Sequence, residues 1–305
     1  MKKFAIALAL SIAFIGQAMA VPFTLGNVFV STGIGTVLEY TPTGTLVQTL
    51  SVGTGFITGS TFDASGNFYA TRFSNGAVQK FNSGGIDQGA FASGLPTPES
   101  VVIDASSNIY VGNVGGSIRK FDSAGAPLST SISTTRVDFM DLAADQSTML
   151  YTQEGGEIHR VNVATNTMLS DFSTDVENAF ALRIRGNGQV LVADGADIEL
   201  LDGSGTQIGT YDIAGSGLWF ALNLDPNGTS FWSATTSGLI AQFDIATGTV
   251  LTSWNVTGTN GTWGLAIYGE VTQGGGGGTI PEPASLALMG LGLAGLAAAR
   301  KRKPA

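Results

Sequence analysis

The chain of 305 residues contains no cysteine and a single histidine, His159. No disulfide scaffold is open to it, so stability has to come from a large buried core. A cysteine nucleophile and a usable Ser/His pair are missing as well, which excludes the usual catalytic triads. Basic residues are scarce in the body of the chain. Residues 21–280 hold eight Lys/Arg against 22 Asp/Glu, a net charge of −14, and the other six basic residues stand at the two ends. Nucleic acid, which requires a basic face, is excluded as a partner. An acidic body is compatible with neutral sugars, with cations or with simple solubility. The Gly-rich stretches fall at hairpins or in a linker and never where a strand meets a helix, so phosphate-cradling loops are absent too.

The two ends carry what the body lacks. Lys2 and Lys3 precede an almost unbroken apolar run, Phe4 to Ile15, and Ala18-Met19-Ala20 offers the small-x-small pattern of a cleavage site. Residues 1–20 therefore read as a secretory signal cut by signal peptidase after Ala20. At the other end, residues 271–279 form a Gly-rich linker. Residues 280–305 follow with Pro281-Glu282-Pro283, an apolar run from Ala284 to Ala299, and Arg300-Lys-Arg-Lys303. Sixteen apolar residues are marginal for spanning roughly 30 Å of hydrocarbon, and the basic cluster fixes an inside end.

This order of parts resembles the PEP-CTERM sorting signal. The resemblance implies recognition by an exosortase, an integral-membrane processing enzyme, with removal of the tail near Pro281, Glu282 and Pro283. It implies export, transient anchoring in the inner membrane and a final place at the surface or in the matrix of a Gram-negative bacterium that makes exopolysaccharide. Such tails leave no membrane helix in the mature protein.

Between the ends, residues 21–270 repeat. Ser60-Thr-Phe-Asp63-Ala-Ser-Gly-Asn67-Phe-Tyr69 is echoed by Val101-Val-Ile-Asp104-Ala-Ser-Ser-Asn108-Ile-Tyr110, and Lys80-Phe81-Asn82 by Lys120-Phe121-Asp122. A turn position runs through Asp63, Asp104, Asp145, Arg185 and Asp225, at steps of 41, 41, 40 and 40. A second column, Tyr40, Phe81, Phe121, Val161, Leu201 and Phe243, holds the same period. Each unit reads as four short strands with Asx/Gly turns between them. Such a unit at a period near 40 predicts propeller blades, and an all-β six-bladed β-propeller is expected. Residues 27–53 lack an innermost strand, while Trp263–Tyr268 is an innermost strand with no blade after it. Pairing the two would close the ring and leave no open edge. The units are similar to NHL and SMP-30-type six-bladed propellers.

The repeat frame also sorts the residues at the central channel. Gly59, Ser100, Asp141, Ala181, Ala221 and Gly264 form a small-residue column on the innermost strands, with Asp141 the exception. An unpaired buried carboxylate is costly, so Asp141 should line a wet channel, pair or bind a cation. One residue earlier stand Thr58, Glu99, Met140, Phe180, Phe220 and Trp263, where aromatics suit packing between blades and Glu99 should face the channel mouth. The second strands end at Thr32, Arg72, Asn113, Glu154, Asp194 and Thr235. Glu99, Asn113, Asp141, Glu154 and Asp194 are therefore candidates to converge on one opening. No cofactor is required by the sequence, although these oxygen ligands would suit Ca²⁺.

Two functions follow. One is a monomeric surface or matrix module that binds polysaccharide or another protein and has no catalytic residues. The other, which the SMP-30 resemblance implies, is an exported metal-dependent lactonase, hydrolase or lyase. The chain departs from that family in having no Glu-Gly-Pro opening and no Asn-Gly-Leu segment. His159 lies on a third strand, away from the mouth, and reads as a structural residue.

Overall fold

A computed structural model describes residues 20–128 and 131–274. Ala20 is exposed at the start of this range. Ala18, Pro281, Glu282 and Pro283, with the rest of the two end segments, lie outside it.

Six four-stranded antiparallel sheets form the blades of a β-propeller. Blade two comprises Ile57–Phe62, Phe68–Arg72, Ala77–Phe81 and Asp87–Ser93, and blade three Pro98–Ile103, Ile109–Asn113, Ser117–Phe121 and Ile132–Ser133. Blade four comprises Met140–Leu142, Thr148–Tyr151, His159–Asn162 and Thr167–Met168, and blade five Ala181–Ile184, Val190–Ala193, Ile198–Leu201 and Gln207–Tyr211. Blade six comprises Trp219–Leu224, Ser230–Thr235, Leu239–Asp244 and Val250–Asn255. Blade one is built from both ends of the domain. Its strands Val28–Thr32, Thr36–Tyr40 and Leu46–Ser51 take Thr262–Ile267 as their innermost partner, in the register Val28↔Ile267 and Ser31↔Gly264. The seam expected from the sequence is thus the one that closes the ring.

The repeated Asp-x-x-x-Asn-x-Tyr pattern makes the turn after each of two innermost strands. Asp63 Oδ1 accepts the amides of Ser65 and Asn67, both at 2.9 Å, and Oδ2 accepts Asn67 Nδ2 at 2.7 Å. Asp104 repeats the arrangement with Ser106 and Asn108. Lys80 and Lys120 lie over the Tyr69 and Tyr110 rings, at 5.1 and 4.8 Å from the ring centres. The copied residues are therefore hairpin and packing devices.

Innermost and second strands are buried on both faces, whereas the outermost strands alternate or stand exposed. The apolar core lies between blades, in clusters that each join neighbouring sheets. Around the axis the strands crowd. A Cβ on Gly59 would stand 2.6 Å from Ser100 Cα, and one on Gly264 would overlap the Thr58 carbonyl. Small residues in this column are a packing requirement.

The innermost strands all run the same way along the channel, from a mouth at their N-terminal ends to a floor at their C-terminal ends. Residues 268–274 cross that floor. Glu270 accepts Arg183 Nε at 2.8 Å, the Leu224 amide at 2.9 Å and Asn223 Nδ2 at 2.5 Å. Gln146 Nε2 donates to the Gln273 carbonyl at 2.7 Å. A cavity of about 10 Å³ lies there, among Thr61, Asp141, Arg183, Glu270 and Thr272. Among the described residues no helix is long and apolar enough to cross a membrane.

Candidate functional site

The mouth holds a cavity of about 220 Å³, lined by Phe56, Thr58, Phe73, Glu99, Arg136, Glu154, Phe220 and Trp263. The aromatic wall is continuous. Trp263 meets Phe56 and Phe220 edge-on, each at 5.3 Å between ring centres, and Phe220 meets Phe180 at 5.2 Å and Phe139 at 5.8 Å. Phe220 thus packs between blades as expected and also forms part of the cavity.

The polar wall is an ionic cluster. Arg136 Nε donates to Asp138 Oδ1 at 2.6 Å, and its Nη2 lies 2.7 Å from Glu154 Oε2 and 4.0 Å from Glu99 Oε2. Glu99 and Asp138 are 3% and 1% exposed, and Glu154 lies nearer the opening. Each of the three offers an oxygen within 4.8 Å of the other two. Burial drives the Glu99 carboxyl well above the usual range, and Asp138 and Glu154 add to the shift against the opposing pull of Arg136. Burial raises Asp138 as well, against hydrogen bonds to Glu99 and Arg136. Glu154 is raised by burial and by Asp138. Burial thus favours the protonated form at both Glu99 and Asp138, and the titration of each depends on the other.

The five candidates of the sequence do not converge. Glu99 and Glu154 meet at the mouth. Asp141 lies at the floor, accepting the amides of Leu142 at 2.9 Å and Ile184 at 2.8 Å. It stands one strand position after the Glu99 column, so its side chain leaves by the opposite face. Burial pushes Asp141 up to about 6 against the pull of Arg183. Asn113 stays within its own hairpin, donating Nδ2 to the carbonyls of Val111 and Ser117 while its buried Oδ1 has no partner. Asp194 belongs to a separate group with Asp197 and Glu199, and accepts the amides of Glu177 and Asn178. Equivalent positions in successive blades are spread around the ring, and only side chains that reach inward can meet.

Arg136 and Asp138 were not singled out in the sequence. They sit in the loop that leads into the innermost strand of blade four, outside both repeat columns. The one legible signal was an Arg-Val-Asp triplet in an otherwise Ser/Thr-rich stretch. His159 bonds Asp171 at 2.7 Å, lies against Tyr151 and does not line the cavity.

Residues 279–303 match the family described as the PEP-CTERM protein-sorting motif. The chain carries a PEP-CTERM sorting signal. This PEP-CTERM protein is therefore an exported protein, sorted to the cell envelope by an exosortase. No curated protein matches the chain. A chain from the crystal structure of a nidogen/laminin complex is similar to it with a TM-score of 0.68 at 13% identity. The match covers 79% of this chain and 97% of that one. At this identity the likeness shows the fold alone, and with 1661 solved chains matching, the architecture carries no single activity.

Proposed function

We propose that this PEP-CTERM protein is a binding module of the cell surface or extracellular matrix of a Gram-negative bacterium, and that its ligand is a sugar unit of exopolysaccharide. The cavity of about 220 Å³ at the mouth carries the reading. It joins a wall of aromatic rings to a few fixed polar groups, which is the usual make-up of a small-ligand site. The rings offer flat faces to the C–H side of a sugar, and Arg136, Glu154 and Thr58 offer hydrogen bonds to its hydroxyls. The similar propeller from a nidogen/laminin complex is in keeping with an interaction role.

The metal-dependent lactonase has less in its favour. A catalytic cation needs open carboxylates, and at the mouth Arg136 already stands among all three. Calcium would have to displace that guanidinium before it could bind.

The test is retention of the exported protein on exopolysaccharide from the producing cells. Retention is expected, with loss of about tenfold or more in affinity for Trp263→Ala, since a flat ring face is removed. Passage straight through, with no retardation, overturns the reading.

A further inference from the structure

The charge at the mouth does not balance. Three carboxyl groups, Glu99, Asp138 and Glu154, face one guanidinium. Arg72 bonds Gln79 and does not line the cavity, and Asp138 acts on the cavity from behind, through its contacts with Arg136 and Glu99. Even with one proton shared between Glu99 and Asp138, a negative charge is left over in a site whose two inner acids are buried and whose outer one, Glu154, is partly exposed. Such a surplus is held at a cost unless a positive group comes to meet it.

Two oxygens point to the same need. Glu99 Oε2 and Asp138 Oδ2 are fully buried with no N–H donor on either, and the two carboxyl groups lie close enough to hydrogen-bond each other only if one of them is protonated. Buried carboxylate oxygens ordinarily have donors. Here only a proton shared between the two acids relieves them, and both belong to residues less than 4% exposed.

The missing partner has a chemical character. A bare metal ion would have to expel Arg136 and would meet aromatic rings on the opposite wall. An organic ammonium group uses both walls. Its three N–H donors suit the carboxylates, and its charge is attracted to the faces of Trp and Phe. Phe56, Phe73, Phe220 and Trp263 supply those rings around the same cavity.

We propose that the mouth cavity selects the primary ammonium group of an amino-sugar unit, seating it between Glu99 and Glu154, with Asp138 buried behind them, against the rings of Trp263 and Phe220. This names the ligand class of the binding site proposed above and rests on that reading. Any proton held by Glu99 or Asp138 must leave as the ammonium enters, so at a pH where the sugar amine is fully protonated binding releases a proton, and it strengthens with rising pH up to the point where the amine itself titrates.

The test is calorimetric titration of the exported protein with glucosamine oligomers, with N-acetylglucosamine oligomers and with oligolysine of matched length. The glucosamine oligomers are expected to bind at least about tenfold more tightly than the other two, the scale of one lost charge contact. The binding enthalpy should change with the ionisation enthalpy of the buffer, as proton release requires. Glu154→Gln, at the more open edge, and Asp138→Asn should each weaken glucosamine binding by about tenfold while the melting curve stays cooperative. Equal affinity for the acetylated oligomers, equal affinity for oligolysine, or no proton release overturns the inference. Retention on exopolysaccharide that glucosamine oligomers do not compete away leaves the binding function standing and sinks the ammonium assignment alone. Failure of both retention and titration sinks both.

Discussion

Arg183 and Glu270 form a buried ion pair at 2.8 Å across 87 positions of sequence, tying the innermost strand of blade five to the segment that crosses the channel floor. Leu224 and Asn223 of blade six bond the same carboxylate, so one side chain joins three parts of the ring. Removing one partner leaves an uncompensated buried charge. Glu270→Ala is expected to lower stability by about 3–5 kcal/mol in urea unfolding, and the Arg183→Met/Glu270→Leu pair by much less. Equal losses for the single and double variants would contradict this account.

The buried acidic groups set a pH dependence above about pH 4.5. Burial pushes Glu199 up to about 7, with Asp194, Asp197, Glu177 and Asp175 adding repulsion. Asp141 sits at about 6, from burial first. Unfolded Glu and Asp titrate near about 4.3 and 3.9, so between those values and 6–7 the folded chain holds more protons than the unfolded one. Stability should therefore fall as pH rises from about 4.5 to 7, then level off. Urea midpoints at pH 5 and pH 8 check the direction, and Glu199→Gln should flatten the curve.

Ring closure depends on the small column at the axis. Gly264→Ala would drive a methyl group into the Thr58 carbonyl and to 3.3 Å from Ser31 Cβ, at the seam of blade one. A loss of about 1–3 kcal/mol in thermal or urea unfolding is expected from overpacking. An unchanged midpoint would show that the seam yields more easily than the crowding suggests.

The sorting motif starts five residues after Gly274, which lies at the floor beside Ile103 and Leu142. Five residues reach at most about 18 Å, so the start of the motif is tethered within that distance of Gly274 at the floor. While the tail is in a membrane, the floor should face the lipid and the mouth should face away. The absence of native cysteine makes this simple to measure. A fluorophore on Ala124→Cys, in a floor turn, should be quenched by a lipid-borne quencher in liposomes, and one on Asn75→Cys, in a mouth loop, should not. Equal quenching would contradict the orientation.

The sequence alone determined the blade count, the seam and the sorting tail. Two columns at a period of about 40 residues mark where each strand turns, and turn chemistry is local: Asp63 and Asn67 make the same hairpin wherever the blade sits. Glu99 was legible for a related reason, as the one charge in a column that is otherwise uncharged and mostly apolar. The tertiary structure decided which acids meet. Asp141 turned to the floor because neighbouring strand positions face opposite ways. Asn113 and Asp194 stayed in their own blades because equivalent positions are spread around the ring. Arg136 and Asp138 entered the mouth from a loop outside the repeat frame, where no period marks a position, and their place beside Glu99 arises only when blades three and four pack around the axis.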